Sequence, residues 1–198
     1  LYYVDKTMYL AELEKQPDTL IFIRPRRFGK SLFISMMRAY YDKSKAKDFD
    51  NLFGSLWIGS HPTPLRNHYQ VLYLDFSRIS NNIALLEKDF NSYCCIKLND
   101  FIHTYRDDYP EDRVNEFLCS NDFDQKLNLL LNMSRKYGQA LFLIIDEYDS
   151  FTNIVFSEQV EETYFKTSLI GRFYSHVFKL FKGMFERIFL TGVSPVTL

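Results

Sequence analysis

A chain of 198 residues is long enough to bury roughly 70% of its unfolded surface, so a core can form without disulfide or metal staples. Hydrophobic residues make up 46% and aromatics 17%, which excludes disorder, and the longest apolar runs fall far short of the ~20 residues that cross a bilayer. With 24 basic against 25 acidic residues the formal net charge is -1, so bulk attraction to nucleic acid is not expected and only a local basic patch stays open.

The first apolar run, 20–23, predicts a strand and is followed by a loop containing Pro25. Over 30–41, Leu32, Phe33, Met36, Met37, Tyr40 and Tyr41 form one apolar face at helical spacing. The stretch 42–70 carries no firm assignment beyond short helical pieces around Trp57. A second strand is predicted at 71–76. A long helix over 83–105 follows, with Leu86, Phe90, Cys94, Phe101 and Tyr105 near one stripe. Another helix is expected over 122–137, capped by Ser120 or Asn121 and closed by Gly138. Residues 141–145 make the most strand-like run, then come a helix over 163–185 and a last strand at 188–190.

Alternating strands and helices predict an α/β fold, a parallel sheet flanked by helices. The strands read as continuous apolar runs, which suits burial on both faces. The whole of 1–198 is taken as one domain. It opens on Leu1 and stops just after a strand-like run, so a C-terminally truncated fragment is expected. The three cysteines Cys94, Cys95 and Cys119, two of them adjacent, make a poor disulfide framework and read as reduced thiols of a cytoplasmic protein.

In an open parallel sheet ligands bind beyond the carboxyl ends of the strands. The loop after the first strand is Arg24-Pro25-Arg26-Arg27-Phe28-Gly29-Lys30-Ser31, and its last three residues match the end of the phosphate-loop pattern G-x-x-x-x-G-K-[ST]. Unpaired amide N–H groups and the helix dipole make such a helix start an anion site. Lys30 is the candidate for the β- and γ-phosphates, and Ser31 for Mg²⁺. Arg24 stands where the pattern has its first glycine, and Pro25 removes one amide donor. The bare tripeptide arises by chance in about one chain of this size in ten, so its placement between strand and helix carries the weight.

The run 141–145 ends in Asp146-Glu147, the Walker B arrangement of a buried strand followed by two carboxylates. Asp146 is the candidate Mg²⁺ partner and Glu147 the residue that polarises the attacking water. A polar residue at the tip of the strand between these two would sense the γ-phosphate. Thr191 and Ser194, after the last strand, are the candidates.

Five strings resemble the AAA-ATPase-like family of bacterial proteins, a P-loop group often fused to a PD-(D/E)XK nuclease-like domain. They are Tyr2-Tyr3-Val4-Asp5-Lys6-Thr7, Arg24 to Leu32, Leu74-Asp75-Phe76-Ser77, Ile145-Asp146-Glu147-Tyr148-Asp149 and Thr191-Gly192-Val193-Ser194. The string Arg24-Pro25-Arg26-Arg27-Phe28-Gly29-Lys30-Ser31 is the most specific, and an Arg-Pro opening is usual in that family. The resemblance implies a P-loop NTPase-like fold that takes ATP and Mg²⁺. The nucleotide contacts it implies are Arg26, Arg27, Phe28, Gly29, Lys30, Ser31, Leu32 and Thr191, with Ser31 and Asp146 for the metal. Lys30 and Glu147 are then the catalytic pair, and a nuclease-like effector would lie beyond Leu198.

Arg24, Arg26 and Arg27 read as phosphate contacts, a finger offered to a second copy in a homo-oligomer, a nucleic-acid contact, or a solvated loop balanced by acidic residues. Arg172 and Arg187 are weaker finger candidates, and each reads first as structural. Asp5 and Lys6 could lie near the nucleotide base or form a surface turn, and Asp75 could support the site or cap its strand. His61, His68, His103 and His176 show no metal spacing. The expected function is ATP binding with slow Mg²⁺-dependent hydrolysis that switches an effector. Its rivals are a nucleotide-holding interaction module without turnover and a nucleic-acid-handling domain.

Overall fold

The computed structural model describes residues 4–25, 29–79, 82–150, 168–175, 177 and 183–193. Among the described residues four strands, β1 (Thr19–Ile23), β2 (Gln70–Asp75), β3 (Leu141–Asp146) and β4 (Arg187–Gly192), pair in the order β1-β4-β3-β2. Every pairing is parallel. The α/β expectation therefore holds, and the sheet adds what the sequence lacked: β4 lies between β1 and β3. The carboxyl ends of β1, β4 and β3 stand side by side, which brings their following loops together.

Among the described residues the α-helices are α1 (Met8–Leu13), α2 (Lys30–Tyr41), α3 (Phe49–Phe53), α4 (Trp57–Ser60), α5 (Ile83–Thr104), α6 (Glu111–Cys119), α7 (Phe123–Lys136) and α8 (Leu169–Ser175). Side chains alternate across β3: Phe142 and Ile144 join the core beneath α1 and α2, while Leu141, Leu143 and Ile145 join that of α5 and α7. Burial on both faces explains the unbroken apolar run at 141–145. On α5, Leu86, Phe90, Cys94 and Phe101 are all buried, joined by Leu98 and Ile102 on the same stripe and by Tyr105 just past the helix end.

Several expectations need correction. Asp122, not Ser120 or Asn121, caps α7, its carboxylate accepting from Gln125 N at 2.8 Å. The short helices of 42–70 pack around Phe49, Phe53 and Ile58 rather than Trp57, which is 37% exposed. Phe76 begins a 3₁₀ turn instead of ending β2. The helix foreseen over 163–185 is described at Leu169–Ser175, and 163–167, 176 and 178–182 lie outside the described residues. It does not reach Phe185, because Gly183 takes φ 89 in a turn before β4. All three cysteines are free thiols, as expected. Among the described residues no helix is long and apolar enough to cross a membrane.

Candidate functional site

Gly29 precedes α2 with φ 77, a left-handed conformation that side-chain-bearing residues rarely adopt. A Cβ there would meet nothing within 4 Å, so the constraint is conformational and not a lack of space. No side chain among the described residues caps α2, and its first turn carries no acidic residue. The helix thus opens on free amide donors and the positive end of its dipole. Lys30, only 8% exposed, reaches across the sheet end and donates to Glu147 Oε1 at 3.1 Å. Ser31 and Leu32 are exposed beside it. Arg26, Arg27 and Phe28 lie outside the described residues, as does Ser194.

Glu147 turns the chain sharply at the end of β3, with φ 52. Its N–H is taken by Asp146 Oδ1 at 2.9 Å, and its carbonyl accepts from Ser150 N at 2.9 Å. The turn is tied to β4, since Tyr148 N donates to Thr191 O at 3.0 Å and Val193 N to Asp149 Oδ2 at 2.9 Å. Gly192 permits this approach: a Cβ there would fall 2.5 Å from Asp149 Oδ1 and 2.7 Å from the Tyr148 ring. β1 joins the same junction through Arg24 N, which donates to Gly192 O at 3.2 Å.

Asp146 is buried and faces Asp75 directly across the β2–β3 ladder. Burial pushes its carboxyl above the usual carboxylate range; the Glu147 N–H opposes this, the charges of Asp75 and Glu147 add to it, and Lys30 relieves part of it. Asp75 itself accepts from Ser77 N and Oγ and from Arg78 Nε, so it caps the 3₁₀ turn and supports the site's negative field at once. Thr191 is fully buried, and among the described residues its Oγ1 has no hydrogen-bond partner. An under-neutralised carboxylate cluster of hard oxygen donors with a spare buried hydroxyl fits a Mg²⁺–phosphate group.

Beside the Gly29–Lys30 turn a groove of about 860 Å³ runs along α2. Lys6 lines it, but Asp5 is committed elsewhere, its carboxylate accepting from Trp57 N, Thr7 N and Thr7 Oγ1. Arg187 is no finger for a second copy. Its buried guanidinium donates to Leu13 O at 3.1 Å and Glu14 O at 3.0 Å, closing the carboxyl end of α1. Arg172 pairs with Asp124. Among the described residues no group of His, Cys, Asp and Glu could by itself hold a metal ion.

The full chain, residues 1–198, matches the family model described as Predicted AAA-ATPase. The chain belongs to this AAA-ATPase-like family. Neither the curated proteins nor the solved structures give a match. For an AAA-ATPase-like chain, the sheet order brings together Gly29, Lys30, Asp146, Glu147 and Thr191, all singled out in the sequence. What sequence reasoning missed is the packing role of Gly192, the bond between Lys30 and Glu147, and the groove. The signal for the groove was present in α2, whose apolar face extends to Leu32 and Phe33, wider than one core contact requires.

Proposed function

We propose that this chain binds ATP at the amino end of α2 and hydrolyses it slowly with Mg²⁺, as a conformational switch for an attached or associated effector. One observation carries the reading: Lys30 and Glu147, from loops 117 residues apart, meet at 3.1 Å at the carboxyl ends of the strands. An arriving triphosphate offers Lys30 and the α2 amides a stronger partner than a single carboxylate. Glu147 is then released to orient water. The water oxygen attacks the γ-phosphorus, the bond to the β-phosphate oxygen breaks, and the water proton passes toward the Glu147 carboxylate. Lys30 and the loop amides stabilise charge on the transferred phosphoryl group, and the Thr191 hydroxyl supplies a buried donor to it. Ser31 and Asp146 would hold Mg²⁺, which when bound neutralises phosphate charge.

Calorimetric titration with ATP and Mg²⁺, run alongside phosphate release, tests this. Lys30→Ala should abolish binding. Glu147→Gln should keep binding while turnover falls by about 10²-fold or more. A Glu147→Gln protein that hydrolyses ATP like the parent refutes the role given to Glu147. A parent that binds without releasing phosphate is an interaction module instead, a reading that the missing amide at Pro25 supports. A folded parent that binds no nucleotide refutes the site.

A further inference from the structure

Glu147 holds φ 52, a left-handed backbone that a residue with a side chain keeps only where its surroundings over-determine it. The peptide planes on both sides of Tyr148 set that turn. The plane before Tyr148 is bound at each end: its N–H donates to Thr191 O at 3.0 Å, and the Glu147 carbonyl accepts from Ser150 N at 2.9 Å. The plane after it is held through the Tyr148 carbonyl, which accepts from the Tyr174 hydroxyl, 26 residues further along the chain. Tyr174 is 3% exposed, so the hydroxyl meets this carbonyl away from water, where a hydrogen bond is strongest and its loss most costly.

The hydroxyl comes from α8, which is itself fixed to α5 and α7. Glu87 on α5 accepts from Leu169 N at 2.9 Å and Ser168 Oγ accepts from Gly171 N at 3.0 Å, so two side chains take amides at the start of α8. Arg172 donates to Asp124 of α7 through Nε at 3.3 Å and Nη2 at 3.2 Å. The Phe173 ring packs against Phe76, Phe90 and Phe123 with centroids 5.3 to 5.9 Å apart. A short helix pinned in this way presents a hydroxyl at a fixed point behind the turn that carries Glu147. Core packing by itself would be met by a phenylalanine at 174; the tyrosine adds one donor, and that donor is spent on a carbonyl of the turn. We propose that Tyr174 is a positioning residue for Glu147: through the Tyr148 carbonyl it fixes the turn that aims this carboxylate at the attacking water. The role rests on the hydrolysis reading above.

Two variants test it, each checked for folding by circular dichroism. Tyr174→Phe removes the hydroxyl and keeps the ring, while Glu87→Ala loosens the start of α8 without touching the turn. Phosphate release with ATP and Mg²⁺ gives kcat, and calorimetry gives ATP affinity. Tyr174→Phe should lower kcat by about tenfold with affinity within about twofold of the parent, since misplacing a reacting group slows the chemical step and spares binding. Glu87→Ala should lower kcat by about threefold, again with affinity kept. In a Glu147→Gln background Tyr174→Phe should remove nothing further, because the carboxylate it positions is gone. A Tyr174→Phe protein that turns over ATP like the parent overturns the positioning role and leaves the role of Glu147 standing. A fall of kcat and affinity in step, the mark of a merely structural tyrosine, overturns it too, as does a loss that persists in the Glu147→Gln background. If Tyr174→Phe does not fold, Glu87→Ala decides, and an unchanged kcat there overturns the role. A parent that releases no phosphate fails the hydrolysis reading, and the role of Tyr174 with it.

Discussion

Asp146→Asn should make the nucleotide-free protein more stable. Asp146 is 7% exposed, lies opposite Asp75 in the ladder and precedes Glu147; the ammonium of Lys30 offsets part of this charge, while Arg78 pairs with Asp75. Burial and two carboxylates raise its pKa, so the folded state binds the proton more tightly than the unfolded chain. The sign follows from linkage: stability from this group is present in acid and is lost as pH rises from the ordinary carboxylate range through the raised value. At neutral pH the charged form is a burden. Asparagine keeps an oxygen for Glu147 N and removes the charge. A gain of about 1 kcal/mol is the usual size when a destabilised functional group is neutralised. In a domain of this length that raises Tm by roughly 2–4 °C. Thermal unfolding followed by circular dichroism, without nucleotide, should show the gap at pH 8 and its narrowing toward pH 4. With ATP and Mg²⁺ the order should reverse, because the variant loses the Asp146 contribution to Mg²⁺ and so gains less ligand stabilisation than the parent. An Asp146→Asn protein that melts below the parent at pH 8 refutes the claim that this carboxylate is held at a cost.

Thr191→Val replaces a buried hydroxyl that has no partner among the described residues with a methyl of similar volume. It should leave the Tm of the nucleotide-free protein unchanged or slightly higher and lower phosphate release by about tenfold, measured in the same pair of assays. Arg187→Met should cost about 2–4 kcal/mol in urea unfolding, since two carbonyls at the end of α1 lose a buried cationic donor. Arg187→Met proteins that unfold like the parent would return Arg187 to the surface roles considered from the sequence.

Much of this protein was legible along the chain. The start and end of α2 match the reading over 30–41, because its boundary signals, Gly29 and the periodic apolar face, are local. The strands also surfaced within a residue or two, since burial on both faces leaves an unbroken apolar run. α1 and α6 escaped because they are only 6 and 9 residues long and their helicity depends on partners elsewhere: Arg187 for α1, the α7 face for α6.

By itself the sequence determined which residue types stand after which strands: a Gly-Lys-Ser helix start after β1, two carboxylates after β3 and a hydroxyl at the end of β4. Hydrophobic periodicity and cap chemistry act within a few residues, so they can be read without the fold. Only the tertiary structure decided that β4 lies between β1 and β3, which sets Thr191 between the two loops and lets Lys30 reach Glu147. It alone also decided that Asp146 faces Asp75 and that the Asp5 carboxylate ties the segment before α1 to the start of α4. Strand order and clamps are settled by pairings between distant segments, whose free energy comes from burial and hydrogen bonds that no local pattern encodes.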